Sequence, residues 1–141
     1  MILGDDGKLV AKGDKYIYYG QKNYPMALEY YQEAYKNNSG NAELNFKIGY
    51  CYLQSGNKTK SVVYLDKALQ LNKRIHVNAH DYLGQAHQIN EDFDKAIEHY
   101  KVNIAEYAKR HPKMRESQID SAVARTRKRI SECESGIELM K

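Results

Sequence analysis

The sequence predicts an all-α protein built from three consecutive helical hairpins and closed by one long C-terminal helix. Three observations support this prediction: the chain repeats every 34 to 35 residues, its apolar residues recur at helical spacing, and it contains only two prolines. At 141 residues, with 42% hydrophobic and 28% charged side chains, the chain is long enough for a folded core and too apolar to be intrinsically disordered.

The repeat is clearest where small residues recur. Shifts of 34 and 35 residues superpose Ala27, Ser61 and Ala96, and a shift of 35 superposes Gly49 on Gly84. Small residues at these places let two helices approach closely, and bulky residues then fill the space between them. The bulky residues that the same shifts superpose are Tyr31, Leu65 and Tyr100.

The first repeat is aligned with the other two by the same shifts. They place Tyr18 at the position of Tyr52 and His87, and they place Lys15 at the glycine position of the other repeats. The first repeat is therefore expected to be the weakest match of the three.

The repeat divides the chain into two predicted parts. Residues 1–107 are expected to hold the three hairpins, with repeats at about 8–40, 41–75 and 76–107. Clusters of turn residues, such as Ser55-Gly56-Asn57, separate the helices. The six helices are predicted at residues 8–20, 25–36, 41–54, 58–71, 76–89 and 93–107.

Residues 108–141 are predicted to form a linker and one long amphipathic helix over 115–140. After the break at Pro112, apolar residues recur at spacings of three and four from Ile119 to Met140. A stack of hairpins leaves its last apolar face open, so this helix is expected to pack against the third hairpin and cap it. The seam of a coiled-coil dimer is the alternative, although the stripe covers only about three heptads.

The repeat resembles the tetratricopeptide repeat, whose units are pairs of antiparallel helices with a period of about 34 residues. The resemblance implies a right-handed superhelix of three hairpins, with the first helix of each hairpin on the concave side. It also implies a non-catalytic scaffold whose partner is a protein or a peptide. None of the three repeats has the tryptophan that is usual in the first helix of this family.

The repeat register predicts which side chains face the concave groove. Tyrosines are frequent there, and a tyrosine offers a large contact area and a hydroxyl for hydrogen bonds to a peptide backbone. The partner-binding groove is predicted to contain Lys12, Tyr16, Tyr19, Phe46, Lys47, Tyr50, Tyr82 and Gln85. The alternative is that some of these rings pack within the chain. Family grooves that hold the C-terminal carboxylates of chaperones use a clamp of which only Lys12 is present here, so that ligand is disfavoured.

No catalytic or cofactor-binding pattern is found in the sequence. It has no glycine-rich phosphate loop and no G-x-S-x-G nucleophile elbow, so we expect no enzyme activity and no cofactor. His76 and His80 have the spacing of a metal-binding helix face, but no third ligand is apparent, and no metal site is expected. Cys51 and Cys133 lie on apolar stripes, which favours buried free thiols over a disulfide.

The net charge of +4 comes from the C-terminal part of the chain. Residues 1–107 carry 13 basic and 13 acidic side chains, whereas residues 108–141 carry nine and five. The basic run at 125–129 has no interleaved aromatic residues, so a solvated helix face is favoured over a nucleic-acid site, with binding of anionic partners as the alternative. No apolar run reaches the ~20 residues that span a bilayer, and the first residues lack a basic region followed by an apolar stretch, so no signal peptide is expected in them. We expect no direct membrane insertion, and a monomer or weak dimer.

Three segments resemble one bacterial family more closely. They are residues 42–53, residues 80–87 with 93–97, and residues 129–140. These segments are similar to the N-terminal tetratricopeptide module of Gram-negative cell-envelope proteins that continue into a PD40-type β-propeller and an OmpA-like domain. Some members of that family belong to a secretion and gliding-motility apparatus. The resemblance implies a periplasmic, outer-membrane-associated scaffold.

Overall fold

A computed structural model describes residues 2–141, and all regular secondary structure in this range is α-helical. Eight helices follow one another within it: α1 Gly4–Tyr18, α2 Tyr24–Tyr35, α3 Ala42–Gln54, α4 Lys58–Leu71, α5 Ala79–Ile89, α6 Phe93–Arg110, α7 Glu116–Ala122 and α8 Ala124–Leu139. The all-α prediction is confirmed, and the limits predicted for α4 match the structure at both ends.

The helices pack into two compact units. The first unit ends at Ile75 and contains hairpin one, α1 with α2, and hairpin two, α3 with α4. The second unit is His76–Lys141 and contains hairpin three, α5 with α6, followed by α7 and α8.

A glycine in the first helix and a bulky side chain in the second hold each hairpin together. A Cβ added at Gly49 would lie 2.7 Å from the side chain of Leu65, and one added at Gly84 would lie 2.4 Å from the ring of Tyr100. Both bulky side chains are fully buried, and each follows its glycine by 16 residues. The two glycines are therefore equivalent, as the repeat predicted.

Hairpin one uses a different residue for this contact than the sequence predicted. A Cβ added at Gly13 would lie 2.5 Å from the ring of Tyr31, whereas Lys15 is exposed. Lys15 does not take the glycine position, so the predicted register of the first helix was wrong. The glycine of hairpin one precedes its bulky partner by 18 residues rather than 16.

The two extra residues lie in the turn between α1 and α2. In hairpins two and three the amide of the residue before the second helix reaches back five residues, to the carbonyls of Tyr52 and His87. In hairpin one the equivalent amide, that of Asn23, reaches back seven residues to Tyr16 at 2.8 Å. Tyr16, and not Tyr18, is therefore equivalent to Tyr52 and His87.

The C-terminal segment caps hairpin three, as its apolar stripe predicted. Cys133 of α8 is fully buried in one cluster with Ala96 and Tyr100 of α6, and the ring of Phe93 lies against Gly136. The prediction of one unbroken helix was wrong, because α7 ends one residue before Val123 and α8 begins one residue after it.

Both cysteines are buried free thiols, as predicted. Burial raises the pKa of the Cys51 thiol to about 12, and it also raises the pKa of Cys133. Neither thiol is a thiolate at neutral pH, so both pack as small apolar side chains.

Candidate functional site

Each unit has a cleft beside the first helix of a hairpin. The cleft of the first unit has a volume of about 370 Å³ and is lined by residues of α1 and α3 and their flanking segments. The cleft of the second unit is larger, about 650 Å³, and is lined by α5, α6 and the segment where α7 meets α8. We call these two sites the first-unit cleft and the second-unit cleft.

Lys47 lines the first-unit cleft, but its charge is already neutralised within the chain. Its Nζ lies 2.9 Å from each carboxylate oxygen of Asp14 and 3.5 Å from the carboxylate of Glu43. The hydroxyl of Tyr31 donates a third hydrogen bond to Asp14. Burial and this bond raise the pKa of Tyr31, so the phenol remains a donor. An incoming anion would therefore compete with a closed network for this lysine.

Polar groups line the second-unit cleft. Tyr82 and Gln85 of α5 lie opposite Thr126 and Arg129 of α8, and Tyr107 of α6 contributes a further aromatic ring. The cleft thus offers a phenol face, an amide and hydroxyls, which are groups that can bind a peptide backbone and select uncharged polar side chains.

A charged network forms one wall of the second-unit cleft. Arg129 donates to both oxygens of Asp81 at 3.1 and 3.0 Å, and Gln85 donates to the same carboxylate at 2.8 Å. The guanidinium side chain is only 26% exposed, so the prediction of a wholly solvated basic face was wrong for Arg129. The closing helix, α8, places Arg129 over α5, whereas Arg127 pairs with Asp120 at the surface.

Five of the eight predicted groove residues lie on α3 and α5. Tyr82 and Gln85 line the second-unit cleft, and Lys47 lines the first-unit cleft. Phe46 is only 8% exposed, and Tyr50 is half-buried against the core of the first unit. The last two side chains therefore serve packing at least in part.

The other three predicted groove residues lie elsewhere on hairpin one. Tyr16 stacks on Tyr30 of α2 with ring centroids 5.8 Å apart, and the Nζ of Lys12 lies 5.9 Å from the centroid of the same ring. Tyr19 is 77% exposed in the turn after α1. In the corrected register, Asp14 and not Tyr16 is equivalent to Tyr50. That the eight residues bind a partner stays a prediction.

Sequence reasoning missed a stacked ring pair that recurs in every hairpin. One ring comes from the end of the first helix and the other from the middle of the second, with centroids 5.4 to 5.8 Å apart. The pairs are Tyr16 with Tyr30, Tyr52 with Tyr64, and His87 with His99. The shifts of 34 and 35 residues that align the second rings were a signal that could have found it.

The ring pair of hairpin three consists of histidines and is joined by a third. The Nδ1 atoms of His80 and His99 are 3.0 Å apart, so one ring donates to the other. Burial, with the nearby charges of His80, His87 and Lys95, lowers the pKa of His99 to about 4. Over residues 2–141, no three His, Cys, Asp or Glu side chains are placed to hold a metal ion together.

Comparison with known proteins identifies the repeat. Residues 42–74 match the tetratricopeptide repeat family model. A mouse (Mus musculus) protein, BBSome complex member BBS4, is 41% identical over 78 residues, which is 55% of this chain. The chain spans only 15% of the length of that relative.

Solved structures show the fold. The TPR2B domain of yeast Sti1, solved in complex with pHsp70, superposes with a TM-score of 0.71 at 14% identity, over 92% of this chain and 96% of that one. The second TPR of Spaghetti (RPAP3), bound to the HSP90 peptide SRMEEVD, superposes with a TM-score of 0.63 at 17% identity, over 71% and 90%. The described residues therefore have the tetratricopeptide-repeat fold, which is generally non-catalytic and commonly mediates protein–protein interactions.

Proposed function

We propose that this protein is a non-catalytic interaction module, and that the second-unit cleft binds a peptide segment of a partner protein. The observation that carries the proposal is the cleft itself, which is open, about 650 Å³ in volume and lined by Tyr82 and Gln85. A volume of about 300–1,000 Å³ is usual for a cleft that encloses a small ligand, so this cleft can hold a short part of a peptide.

The charges of the two clefts decide which peptide is favoured. Lys47 and Arg129 are both paired with carboxylates of this chain. The exposed Arg125, which also lines the second-unit cleft, is a single cation and does not form the clamp that a dicarboxylate requires. We therefore propose an uncharged polar or aromatic segment as the ligand, and neither a C-terminal dicarboxylate nor a nucleic acid. A segment with a tyrosine or proline ring would pack beside Tyr82, whose ring already stacks on that of His76 with centroids 6.2 Å apart. The backbone of the segment would bond to Gln85.

Selection from a peptide library displayed on phage tests the site. Peptides selected on the wild-type protein should bind the Tyr82→Ala variant about 2 kcal/mol more weakly, because a central aromatic anchor is lost. Tyr18→Ala is the matched control, because this tyrosine is 61% exposed, ends α1 and is not among the predicted groove residues.

Two results would count against the cleft. Unchanged affinity in the Tyr82→Ala variant, with an intact fold, would exclude it as the site. A library that yields no binder would favour a purely structural role, in which the closing helix fills the site. The contacts of Arg129 and Thr126 with Asp81 already cover part of α5 in this way.

The peptide SRMEEVD provides a sharper test of ligand class. Titration calorimetry should detect no binding, because Lys47 is held by Asp14 and Glu43. The Asp14→Asn variant releases that lysine from its strongest partner and serves as the comparison. Tight binding of SRMEEVD to the wild-type protein would contradict the proposed ligand class.

We also propose a place in the cell. The likeness of residues 42–53, 80–87 with 93–97, and 129–140 to cell-envelope scaffolds supports a periplasmic protein associated with the outer membrane, within an envelope or secretion assembly. Over residues 2–141, no helix combines the length and apolar character that crossing a membrane requires. Fractionation by osmotic shock, with antibodies against the native protein, would contradict this proposal if the protein stayed with cytoplasmic markers.

A further inference from the structure

Hairpin one presents lysines at the positions where the other two hairpins bury small or apolar side chains. The corrected register aligns the first helices with shifts of 36 and 35 residues. The three equivalent positions hold Leu44, Ile48 and Cys51 in α3, Ala79, Leu83 and Ala86 in α5, and Lys8, Lys12 and Lys15 in α1. All six residues of α3 and α5 in this set are at most 1% exposed.

The contact made by the α3 residues shows what these positions do. Leu44, Ile48 and Cys51 belong to the same core cluster as Tyr31 and Ala34 of α2, so this stripe joins one hairpin to the helix before it. A stripe of lysines at the same place is suited to a charged neighbouring surface and not to an apolar one.

The three lysines have no carboxylate partner within residues 2–141. Lys8, Lys12 and Lys15 are exposed, and none of them takes part in an ion pair in this described range. The contact that Lys12 makes is with the ring of Tyr30. Other surface lysines of the chain, such as Lys36 and Lys95, do have an acidic partner three residues away along the chain.

The ring pair beside these lysines borders a pocket, whereas its counterpart in hairpin two contacts side chains of α2. In hairpin two, Gln32 of α2 donates to the hydroxyl of Tyr52 at 3.2 Å, and Tyr35 packs edge-on to Tyr64 at 5.5 Å. In hairpin one, the pair of Tyr16 and Tyr30 borders a pocket of about 300 Å³. The other residues that line this pocket are Lys12, Lys15 and Gln21.

We propose that this basic face, formed by Lys8, Lys12, Lys15, Tyr16 and Tyr30, docks an acidic helix of a partner protein. In hairpin two the equivalent face is covered by a helix, α2, so a helix has the right shape for it. From Lys8 to Lys15 the lysines extend about 10 Å along α1, which matches carboxylates at i, i+4 and i+7 of the partner helix. Gln, Asn or Tyr beside those carboxylates would reach the ring pair.

A nucleic acid fits the same face less well. Three lysines along one helix neutralise about three phosphates, which is few for stable binding to a duplex. The pocket beside Tyr16 has the size of one or two side chains, and its rings do not lie along a groove that would follow a phosphate backbone. The charge and the shape together favour an acidic polypeptide.

A fluorescein-labelled, alanine-based peptide of about 15 residues, with glutamates at i, i+4 and i+7, is the probe. Fluorescence anisotropy at about 50 mM salt should show binding that weakens as the salt concentration rises. The Lys12→Glu/Lys15→Glu variant should bind at least about fivefold more weakly, because it replaces two attractions with two repulsions. The Lys73→Glu/Lys101→Glu variant is the matched control: it changes the net charge equally at two exposed lysines elsewhere, and it should bind as the wild type does.

Four outcomes would overturn the proposal. The first is no binding of the glutamate peptide at low salt, and the second is equal weakening by both double variants. The third is equal affinity for a peptide of the same composition whose glutamates lie on different faces of the helix. The fourth is tighter binding of a short DNA duplex or of phosphatidylserine vesicles than of the peptide. Circular dichroism melts of both variants confirm that the fold is retained, so weaker binding reports on the face.

Discussion

Hairpin one and hairpin two make the same glycine contact and the same ring pair, but they connect their helices through turns of different length. The turn after α1 has five residues, 19–23, and the turn after α3 has three, 55–57. The longer turn includes two left-handed residues, Gly20 at φ 92° and Lys22 at φ 47°. The comparison shows that a turn can absorb two residues without disturbing the packing of the helices that it joins, because the turn lies at the surface.

In each unit an aspartate on the first helix of a hairpin is paired with a cation, but a different element supplies that cation. In the first unit, Asp14 of hairpin one is paired with Lys47 from the first helix of the next hairpin. In the second unit, Asp81 of hairpin three is paired with Arg129 from the closing helix. The closing helix therefore supplies to hairpin three the kind of charged contact that α3 supplies to hairpin one.

The largest expected effect tests the register of hairpin one. Gly13→Ala should lower the free energy of unfolding by about 2 kcal/mol, because the new methyl group would overlap the buried ring of Tyr31. Lys15→Ala should change it by less than about 0.5 kcal/mol, since an exposed lysine is lost. Urea unfolding followed by circular dichroism measures both. A larger loss of stability for Lys15→Ala than for Gly13→Ala would mean that residue 15, and not residue 13, takes the glycine position.

The histidine ring pair should make hairpin three sensitive to acid where the tyrosine pairs are not. His99 has a pKa of about 4 in the folded protein, below the ordinary 6.5, so the unfolded chain binds more protons between these values. Stability is therefore fully present above about pH 6.5 and falls as the pH drops toward 4, by about 1–2 kcal/mol after allowance for partial exposure of the ring. Thermal melts at a series of pH values measure this loss.

Replacing the histidine pair of hairpin three with a tyrosine pair like that of hairpin two provides the control for that prediction. The His87→Tyr/His99→Tyr variant removes two titrating groups and keeps a stacked pair. Its stability should change less between pH 6.5 and 4 than that of the wild type, for which the lowered pKa of His99 sets this window. An equal slope in both proteins would assign the acid sensitivity to other groups, such as the paired carboxylates.

Asp14 and Asp81 should contribute differently to the free energy of unfolding. Asp14→Asn should cost about 1 kcal/mol, because it leaves a mostly buried lysine without its closest counter-charge. Asp81→Asn should cost less, since Arg129 is 26% exposed and Lys47 only 12%. Urea unfolding of the single variants and of Asp14→Asn/Lys47→Met in a double-mutant cycle gives the coupling energy. A coupling near zero would mean that the pair is fully screened by solvent.

The smallest effect concerns the turn of hairpin three. Glu91 has a φ of 61° at the position that Gly56 occupies in hairpin two. Glu91→Gly should raise stability by about 0.5 kcal/mol, because it relieves a left-handed conformation that a side chain disfavours, offset by the greater freedom of glycine when unfolded. Gly56→Glu should lower it by about 1 kcal/mol for the same reason. In a thermal melt, a lower melting temperature for Glu91→Gly or a higher one for Gly56→Glu would contradict this account.

The second helices of the hairpins were predicted well from the sequence. Ala27, Ser61 and Ala96 are all fully buried, and the helices that contain them begin within one residue of the predicted positions. The register of these second helices was predicted correctly because each contains a bulky residue that packs on the preceding helix. A shift of one residue would turn the apolar stripe away from that helix and lower the stability of the packing.

The first helix of hairpin one and most of the site could not be predicted in this way. A fixed period of 34 assumes equal turns, so the two additional residues moved Tyr18 and Lys15 into positions that Tyr16 and Gly13 occupy. The repeat equivalence assumed for Lys12, Tyr16 and Tyr19 was off by the same two residues, whereas that of Tyr82 and Gln85 was not affected. That these residues bind a partner stays a prediction.

The sequence by itself determined the helical class, the hairpin repeat and the cap, because these depend on local periodicity and on small and bulky residues at fixed spacing. The tertiary structure alone decided which charges are already paired. Lys47 is 33 residues from Asp14 and Arg129 is 48 residues from Asp81, and no local pattern relates them. Partners so far apart meet only after the helices have packed, so which lysines remain available for a ligand was settled by the fold.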